Sequence, residues 1–147
     1  MNTPLRHLLA AACLFACTRA LAAEEPKPPS PDEAKAAALA WVKLIDDEHY
    51  ADSWKQASTR FQATATEQRW VDAMTQVRQP LGSVQSREFK TANFTHDVPR
   101  LPKGDYWVLE FATSFDGTPA IEAITMVLDT DGKWHAATFR IKPAPPE

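Results

Sequence analysis

Residues 105–141 read DYWVLEFATSFDGTPAIEAITMVLDTDGKWHAATFRI, and this stretch decides the fold. Apolar and polar side chains alternate along it with a period of two residues, which is typical of strands with one buried face. Asp116-Gly117 and Asp131-Gly132 interrupt the alternation, and such dipeptides favour tight hairpin turns. The pattern predicts antiparallel strands at about 105–115, 120–129 and 133–141, and a preceding strand at about 83–95.

The two turns predict which side chains share a face of the sheet. A two-residue turn at 131–132 pairs Leu128 with His135 and Ile124 with Phe139, and the same parity continues through the turn at 116–117. The apolar face then carries Trp107, Leu109, Phe111, Phe115, Ile124, Met126, Leu128, Ala137, Phe139 and Ile141.

The first half of the chain has a helical period instead. Ser30 and Pro31 form a strong start signal for a first helix that runs to about Asp46. Asp47 is the expected cap of a second helix at about 48–57, and Thr64 that of a third, which stops before Pro80. The sequence therefore predicts an α+β domain, with three N-terminal helices packed on a curved four-stranded antiparallel sheet.

The N-terminus has the three parts of a bacterial signal peptide, over residues 1–22. A basic start precedes a short apolar run, and Ala20-Leu21-Ala22 predicts cleavage after Ala22. Leu14 to Cys17 loosely resembles a lipobox, so a lipoprotein anchored at Cys17 is the alternative. Both cysteines, Cys13 and Cys17, would be absent from a chain cut after Ala22. We expect a periplasmic or secreted protein.

The rest of the chain divides simply. Residues 23–31 hold four prolines and predict a stiff linker, residues 32–142 form the single domain, and residues 143–147 are expected to be a disordered tail. Removing Arg6 and Arg19 leaves 14 basic against 19 acidic residues, a net charge of −5. Because the basic residues are scattered, nucleic acid is not an expected partner. We expect no transmembrane segment, cofactor or metal site.

Many residues carry a family resemblance. They are Trp41, Asp46, Tyr50, Ser53-Trp54, Ala57-Ser58, Phe61, Trp70, Arg78-Gln79-Pro80-Leu81-Gly82, Arg87, Gly104-Asp105-Tyr106, Phe111, Thr113, Phe115, Glu122, Asp131-Gly132 and Trp134. In residue type and spacing, residues 35–141 resemble the domain-of-unknown-function 4019 family, small exported bacterial proteins with no assigned activity. The resemblance implies a cone-shaped fold similar to nuclear transport factor 2 (a cystatin-like fold) and ketosteroid isomerase.

Glu122 is the main anomaly, because strand parity puts its carboxylate on the apolar face. Burying an unpaired carboxylate costs several kcal/mol. Glu122 is therefore either a ligand-orienting group or general base in a pocket, or the partner of Arg78 or Arg87 in an ion pair that joins helix to sheet. Two guanidinium groups near one carboxylate would leave spare donors for an anionic ligand.

Other polar residues are weaker signals. His135 falls on the predicted apolar face near Trp107, and Tyr50 lies on the second helix, so both join the ligand-binding hypothesis. Asp46, Asp47 and Glu48 put acids at a helix C-terminus, where the helix dipole disfavours them. We interpret Asp47 as a cap and the other two as solvated. The predicted ligand-binding residues are Glu122, Arg87, Arg78, Tyr50, His135 and Trp107.

The opposite face of the predicted sheet is also apolar, and nothing in a two-layer fold would cover it. A homodimer through Tyr106, Val108, Val127 and Trp134 is the corresponding prediction.

The leading hypothesis for the function is a non-catalytic envelope module that binds a small apolar or anionic ligand or a protein partner. The alternatives are a homodimeric interaction protein and an isomerase or dehydratase with Glu122 as base. In the enzyme hypothesis, Arg87, Tyr50 or His135 polarises the substrate.

Overall fold

A computed structural model describes residues 28–145. The predicted leader, its cleavage site and the lipidation alternative at Cys17 lie outside these residues. So do positions 23–27 of the linker and 146–147 of the tail. The elements are α1 (Pro31–Asp46), α2 (Tyr50–Gln56), α3 (Thr59–Gln62), α4 (Glu67–Arg78), β1 (Val84–Thr95), β2 (Tyr106–Phe115), β3 (Thr118–Leu128) and β4 (Trp134–Pro143).

The α+β class and the four antiparallel strands are confirmed, in the order β1-β2-β3-β4 of an open sheet. The prediction of three N-terminal helices is wrong, because residues 28–145 contain four. The segment between α2 and α4 forms the short α3, because the Ser58 side chain accepts a hydrogen bond from the Phe61 amide and starts another turn. β4 continues through Pro143, and the Ala144 amide then donates to the Pro119 carbonyl.

Two of the three predicted helix starts are also displaced. Ser30 caps α1 as expected, with Pro31 at the first helical position. α2 begins after His49, whose side chain makes no capping bond, and Asp47 instead binds Lys43 at 2.7 Å. α4 begins after Thr66, whose hydroxyl accepts from the Arg69 amide, so Thr64 is not its cap.

The β3–β4 hairpin departs from the predicted register. The turn is one residue longer than the predicted two-residue turn. Leu128 therefore pairs with Trp134, and Val127 pairs with His135. An irregularity then restores the expected register, and Ile124 pairs with Phe139 as predicted. Since a one-residue shift exchanges the faces of a strand, Trp134 joins the main core and His135 does not.

The helices cover one face of the sheet. The centre of the core is aromatic, with Trp41, Phe61, Trp70 and Phe139 packed mostly edge-to-face at ring-centre distances of 4.8–6.3 Å. Trp107 lies in the same core and is 6% exposed, which agrees with its predicted face.

The opposite face is not left bare, which corrects an expectation from the sequence. Val98 and Leu101, in the loop between β1 and β2, pack on Tyr106 and Val127, which are both fully buried. Trp134 is 9% exposed and lies in the main core. Of the four residues predicted to form a dimer surface, only Val108 is half-buried rather than buried. A homodimer through this face stays a prediction that these side chains do not favour.

The outer edge of β1 is irregular, and the outer edge of β4 is partly covered. β1 carries register shifts after Val84 and after Phe89, so Gln85 and Lys90 are extra residues relative to β2. At β4, the Ser58 amide donates to the Ala136 carbonyl at 2.9 Å, so the α2–α3 connection pairs with part of that edge.

Candidate functional site

Four charged residues from four different elements meet between the helices and the sheet. Asp46 is the last residue of α1, and Arg78 is the last residue of α4. Arg87 lies on β1, and Glu122 lies on β3. Their side chains are 19%, 5%, 12% and 0% exposed, respectively. We call these four residues the charge cluster.

The sequence explains why helix ends and strands meet here. Pro80 follows closely after α4 and prevents the helix from continuing, so Arg78 stays in its last turn, where a cation is favourable to the helix dipole. On the sheet, Thr113 pairs with Arg87 on one side and Ala120 on the other. Glu122, two residues beyond Ala120, therefore projects from the same face as Arg87 and Thr113.

Arg87 is the centre of the charge cluster. Its Nε donates to Glu122 Oε2 at 2.6 Å, and its Nη2 donates to Glu122 Oε1 at 3.2 Å. Its Nη1 and Nη2 donate to the two Asp46 carboxylate oxygens at 2.7 and 3.0 Å. One guanidinium group thus binds two carboxylates, each through two hydrogen bonds, the strongest geometry for such pairs.

Glu122 is enclosed by its partners. The Thr113 hydroxyl donates to Glu122 Oε2 at 2.6 Å, so three hydrogen bonds reach the fully buried carboxylate. Arg78 Nη1 lies farther off, 3.9 Å from Oε1. The ion-pair interpretation of Glu122 therefore matches the geometry, with Arg87 as the main partner.

Arg78 is held differently from Arg87. Its Nη1 donates to Asp46 Oδ1 at 3.0 Å, and its guanidinium carbon lies 4.7 Å from the centre of the Phe115 ring. Its Nε is buried and has no hydrogen-bond partner among residues 28–145. A buried cation that makes so few hydrogen bonds is unusual.

The charge cluster shifts the pKa values of Asp46 and Arg87. Burial by itself would raise the pKa of Asp46, but hydrogen bonds and charge from Arg87 and Arg78 outweigh it and hold that pKa below its ordinary value of 3.8. Burial would likewise lower the pKa of Arg87, and the Asp46 and Glu122 carboxylates raise it instead. Both residues are therefore charged throughout the physiological range.

An open cleft of about 900 Å³ lies directly over this cluster. Asp46, Arg78 and Arg87 line it with largely buried side chains, which we call its floor, and Tyr50 also lines it. Burial, with help from the Glu48 and Asp46 carboxylates, raises the pKa of Tyr50, while Arg78 opposes this effect. The remaining lining residues are Leu39, Lys43, Ile45, Glu48, Thr75, Gln79, Gly82, Ser83 and Val84.

The structure thus brings together three of the six predicted ligand-binding residues at this cleft: Arg78, Arg87 and Tyr50. Glu122 binds Arg87 within the cluster but does not line the cleft. Trp107 lies in the core against Phe94, with ring centres 5.2 Å apart, and its Nε1 is buried without a partner among the described residues.

His135 is placed elsewhere, which corrects its predicted position near Leu128 and Trp107. Its Nδ1 lies 3.1 Å from the Gln56 carbonyl oxygen, and its Nε2 lies 3.0 Å from Asp131 Oδ2. These contacts attach the β3–β4 turn to the end of α2. A second groove, of about 480 Å³, includes His135 and Trp134 and is separate from the cleft.

Sequence reasoning missed Asp46 and Thr113. We interpreted Asp46 as solvated, although an acid at a helix C-terminus opposes the dipole. The two arginines make this position favourable, and the violation of the dipole rule was the signal that could have found it. Thr113 shares the predicted apolar face with Phe111 and Phe115 by strand parity, and a polar side chain on that face was the signal that could have found it.

Comparison with known families adds one match. Residues 37–139 match the family described as "Protein of unknown function (DUF4019)". The chain belongs to the DUF4019 family. All four residues of the charge cluster lie within the part of the chain that the DUF4019 match covers.

No curated protein and no solved structure matches the chain. Within residues 28–145, no helix has both the length and the apolar character needed to cross a membrane. The same residues contain no group of three or more His, Asp and Glu side chains placed to hold a metal ion.

Proposed function

We propose that the domain is a non-catalytic module that binds a small ligand in the cleft over the charge cluster. The observation that carries the proposal is the cleft itself, which is about 900 Å³ and has Arg78, Arg87 and Tyr50 in its lining. This volume falls within the range of small-molecule sites, and polar groups placed at the floor of such a site can orient a ligand.

The hydrogen bonds that occupy the carboxylates of Glu122 and Asp46 favour binding over catalysis. A general base needs an oxygen that can reach the substrate. Arg87 and Thr113 occupy both oxygens of Glu122, which is fully buried. Asp46 is likewise bound by both arginines. The alternative of an isomerase or dehydratase with Glu122 as base requires this network to open first.

Two finer expectations belong to the same proposal. Helices over one face of an antiparallel sheet, with a cleft at the helix ends, support a fold similar to nuclear transport factor 2, and an experimental structure would test this similarity. The leader sequence supports export to the bacterial periplasm or beyond. Fractionation of the native cells, with the mass of the mature chain, tests export.

Native mass spectrometry of protein purified from its own cell envelope tests the binding proposal. We expect a non-covalent adduct of small mass that denaturation removes, on a chain that begins after Ala22. Ser83→Trp, at the exposed rim of the cleft, should abolish the adduct. Thr91→Trp is the matched control, since Thr91 is exposed on β1 and does not line the cleft. An adduct that survives Ser83→Trp places the ligand elsewhere and contradicts the proposal.

A further inference from the structure

Arg78 has more hydrogen-bond donors than the protein uses. A guanidinium group carries five N–H donors. Arg87 uses its three nitrogens in four hydrogen bonds, whereas Arg78 makes one, from Nη1 to Asp46. Arg78 is nevertheless 95% buried by side-chain area, since its exposed fraction is 5%. An unmade hydrogen bond at a buried charged group is costly, so a ligand that accepts from Arg78 is favoured.

The charges around Arg78 indicate how much negative charge this ligand carries. Within the charge cluster, Arg78 and Arg87 balance Asp46 and Glu122. Of the two further charged residues in the cleft lining, Lys43 is paired with Asp47 at 2.7 Å, and Glu48 adds one negative charge. These charges leave no net positive charge to hold a polyanion, so the attraction for an anion comes from the unused donors of Arg78, and a ligand with a single negative charge is the most that they suit.

Neutral polar groups and apolar side chains complete the cleft. Tyr50, Gln79 and Ser83 can each donate a hydrogen bond. Leu39 is 41% exposed, one of three large apolar side chains among the described residues with this degree of exposure, and it lines the cleft with Val84. A patch of this kind beside polar donors suits a ligand with an apolar body and one charged end.

We propose that the ligand is a small organic monocarboxylate, whose carboxylate accepts hydrogen bonds from Arg78 and whose apolar body contacts Leu39 and Val84. This inference rests on the proposed function and names its ligand class. A planar carboxylate matches the fork of guanidinium donors. Arg87 is a positioning residue, because it holds Asp46, which in turn orients Arg78.

Titration of the isotope-labelled domain, residues 23–147, with benzoate tests the inference. Nuclear magnetic resonance follows the Nε–H signal of Arg78 and the amides of Tyr50 and Ser83. We expect benzoate to shift these signals, and the neutral isostere benzamide to bind about tenfold more weakly, because it lacks the charge that strengthens hydrogen bonds to arginine. Inorganic phosphate, which has no apolar body, should also bind more weakly than benzoate.

Substitutions in the cleft test whether benzoate binds there. Arg78→Gln should weaken benzoate binding about tenfold, whereas Arg69→Gln, on the exposed side of the same helix, should leave it unchanged. If Arg78→Gln does not fold, Tyr50→Phe replaces it, and loss of the tyrosine hydroxyl should weaken binding several-fold, as for one neutral hydrogen bond.

Three results would overturn the inference: equal binding of benzamide and benzoate, tighter binding of phosphate, or no shift at the cleft with any probe. Equal binding of benzamide and benzoate at the cleft would reject a carboxylate as the ligand class, but it would be compatible with the proposed function. If none of the three probes binds but Ser83→Trp still abolishes a native adduct, the carboxylate is again rejected as the ligand class and the proposed function is not. Absence of both the probe shifts and the adduct would reject the proposed function as well.

Discussion

Glu122 illustrates how a residue can support the cleft without lining it. Its carboxylate is fully buried, and Arg87 and Thr113 supply its hydrogen bonds. Removing one partner of a buried ion pair is strongly destabilising, because the other charge remains buried without compensation. The residue therefore contributes to the position of Arg87 and, through it, to the floor of the cleft.

Glu122→Gln should lower the free energy of unfolding by about 3 kcal/mol, because the Arg87 cation loses one of its two carboxylates. Urea unfolding followed by circular dichroism measures the change. Glu110→Gln is the matched control on the neighbouring strand. Its carboxylate pairs with Lys142 at the surface, so we expect a change below about 0.5 kcal/mol. A Glu122→Gln variant as stable as the parent would mean that the carboxylate is not a structural ion-pair partner.

Asp46 should make stability depend on pH in the acid range. Its folded-state pKa lies below the ordinary value of 3.8, so its contribution is complete above that value and is lost as the pH falls through the folded-state pKa. Urea midpoints measured from pH 6 down to pH 2 should fall less steeply in Asp46→Asn than in the parent. Asp47→Asn, with its carboxylate at the surface, should follow the parent curve. Parallel curves for the parent and Asp46→Asn would contradict the geometry.

At the scale of elements, the β3–β4 hairpin shows where sequence patterns stop being sufficient. The alternation of side chains predicts the four strands and their order, because burial imposes a period of two. It does not give the length of the turn after β3, and a single extra residue moves His135 off the predicted face. The same limit applies to Asp46 and Arg87, which are distant in sequence and meet only through packing.

His135 should act as a pH-sensitive contact between this hairpin and α2. Its two ring nitrogens face a carbonyl and a carboxylate, which are both acceptors. Both nitrogens can donate a hydrogen bond at the same time only when the ring is protonated. Burial would lower the pKa of His135, but Asp131 and Gln56 outweigh it and raise that pKa above its ordinary value of 6.5. The contribution is therefore present below pH 6.5 and is lost as the pH rises through the folded-state pKa.

The expected effect of His135 is below about 1 kcal/mol, because the contact is near the surface. Urea midpoints between pH 5 and pH 9 should decrease with pH in the parent and stay flatter in His135→Gln. His49→Gln, at an exposed position before α2, should keep the slope of the parent. An unchanged slope in His135→Gln would show that the imidazolium does not make these contacts.

For the whole molecule, the charge cluster connects the ends of α1 and α4 to β1 and β3. The fold class and the pairing of Glu122 with an arginine could be predicted, because strand parity put a carboxylate on an apolar face. A pocket near Glu122 could be predicted, but its shape and lining could not, since they depend on where the ends of two helices lie over the sheet. The predicted ligand-binding residues Arg78, Arg87 and Tyr50 line one cleft, whereas nothing in the sequence separated them from Trp107, which lies in the core.

Because the cluster joins both layers, the helices and the sheet should unfold together. Tryptophan fluorescence reports mainly on the core around Trp41 and Trp70, and far-ultraviolet circular dichroism reports on all elements. We expect the two urea transitions of the mature domain to coincide, as in two-state unfolding. A helical layer that separates first would give two midpoints, and would contradict a single core.

The irregular β1 edge has a consequence for how copies of the protein behave in a crowded compartment. A strand that added itself to this edge would meet an extra residue, Lys90, in the middle of its path, beside the charged side chain of Glu88. Bulges and lysines of this kind interrupt a continuous backbone ladder and prevent stacking of sheets edge to edge. We therefore expect copies of the chain to resist edge-to-edge pairing through β1, even at high concentration.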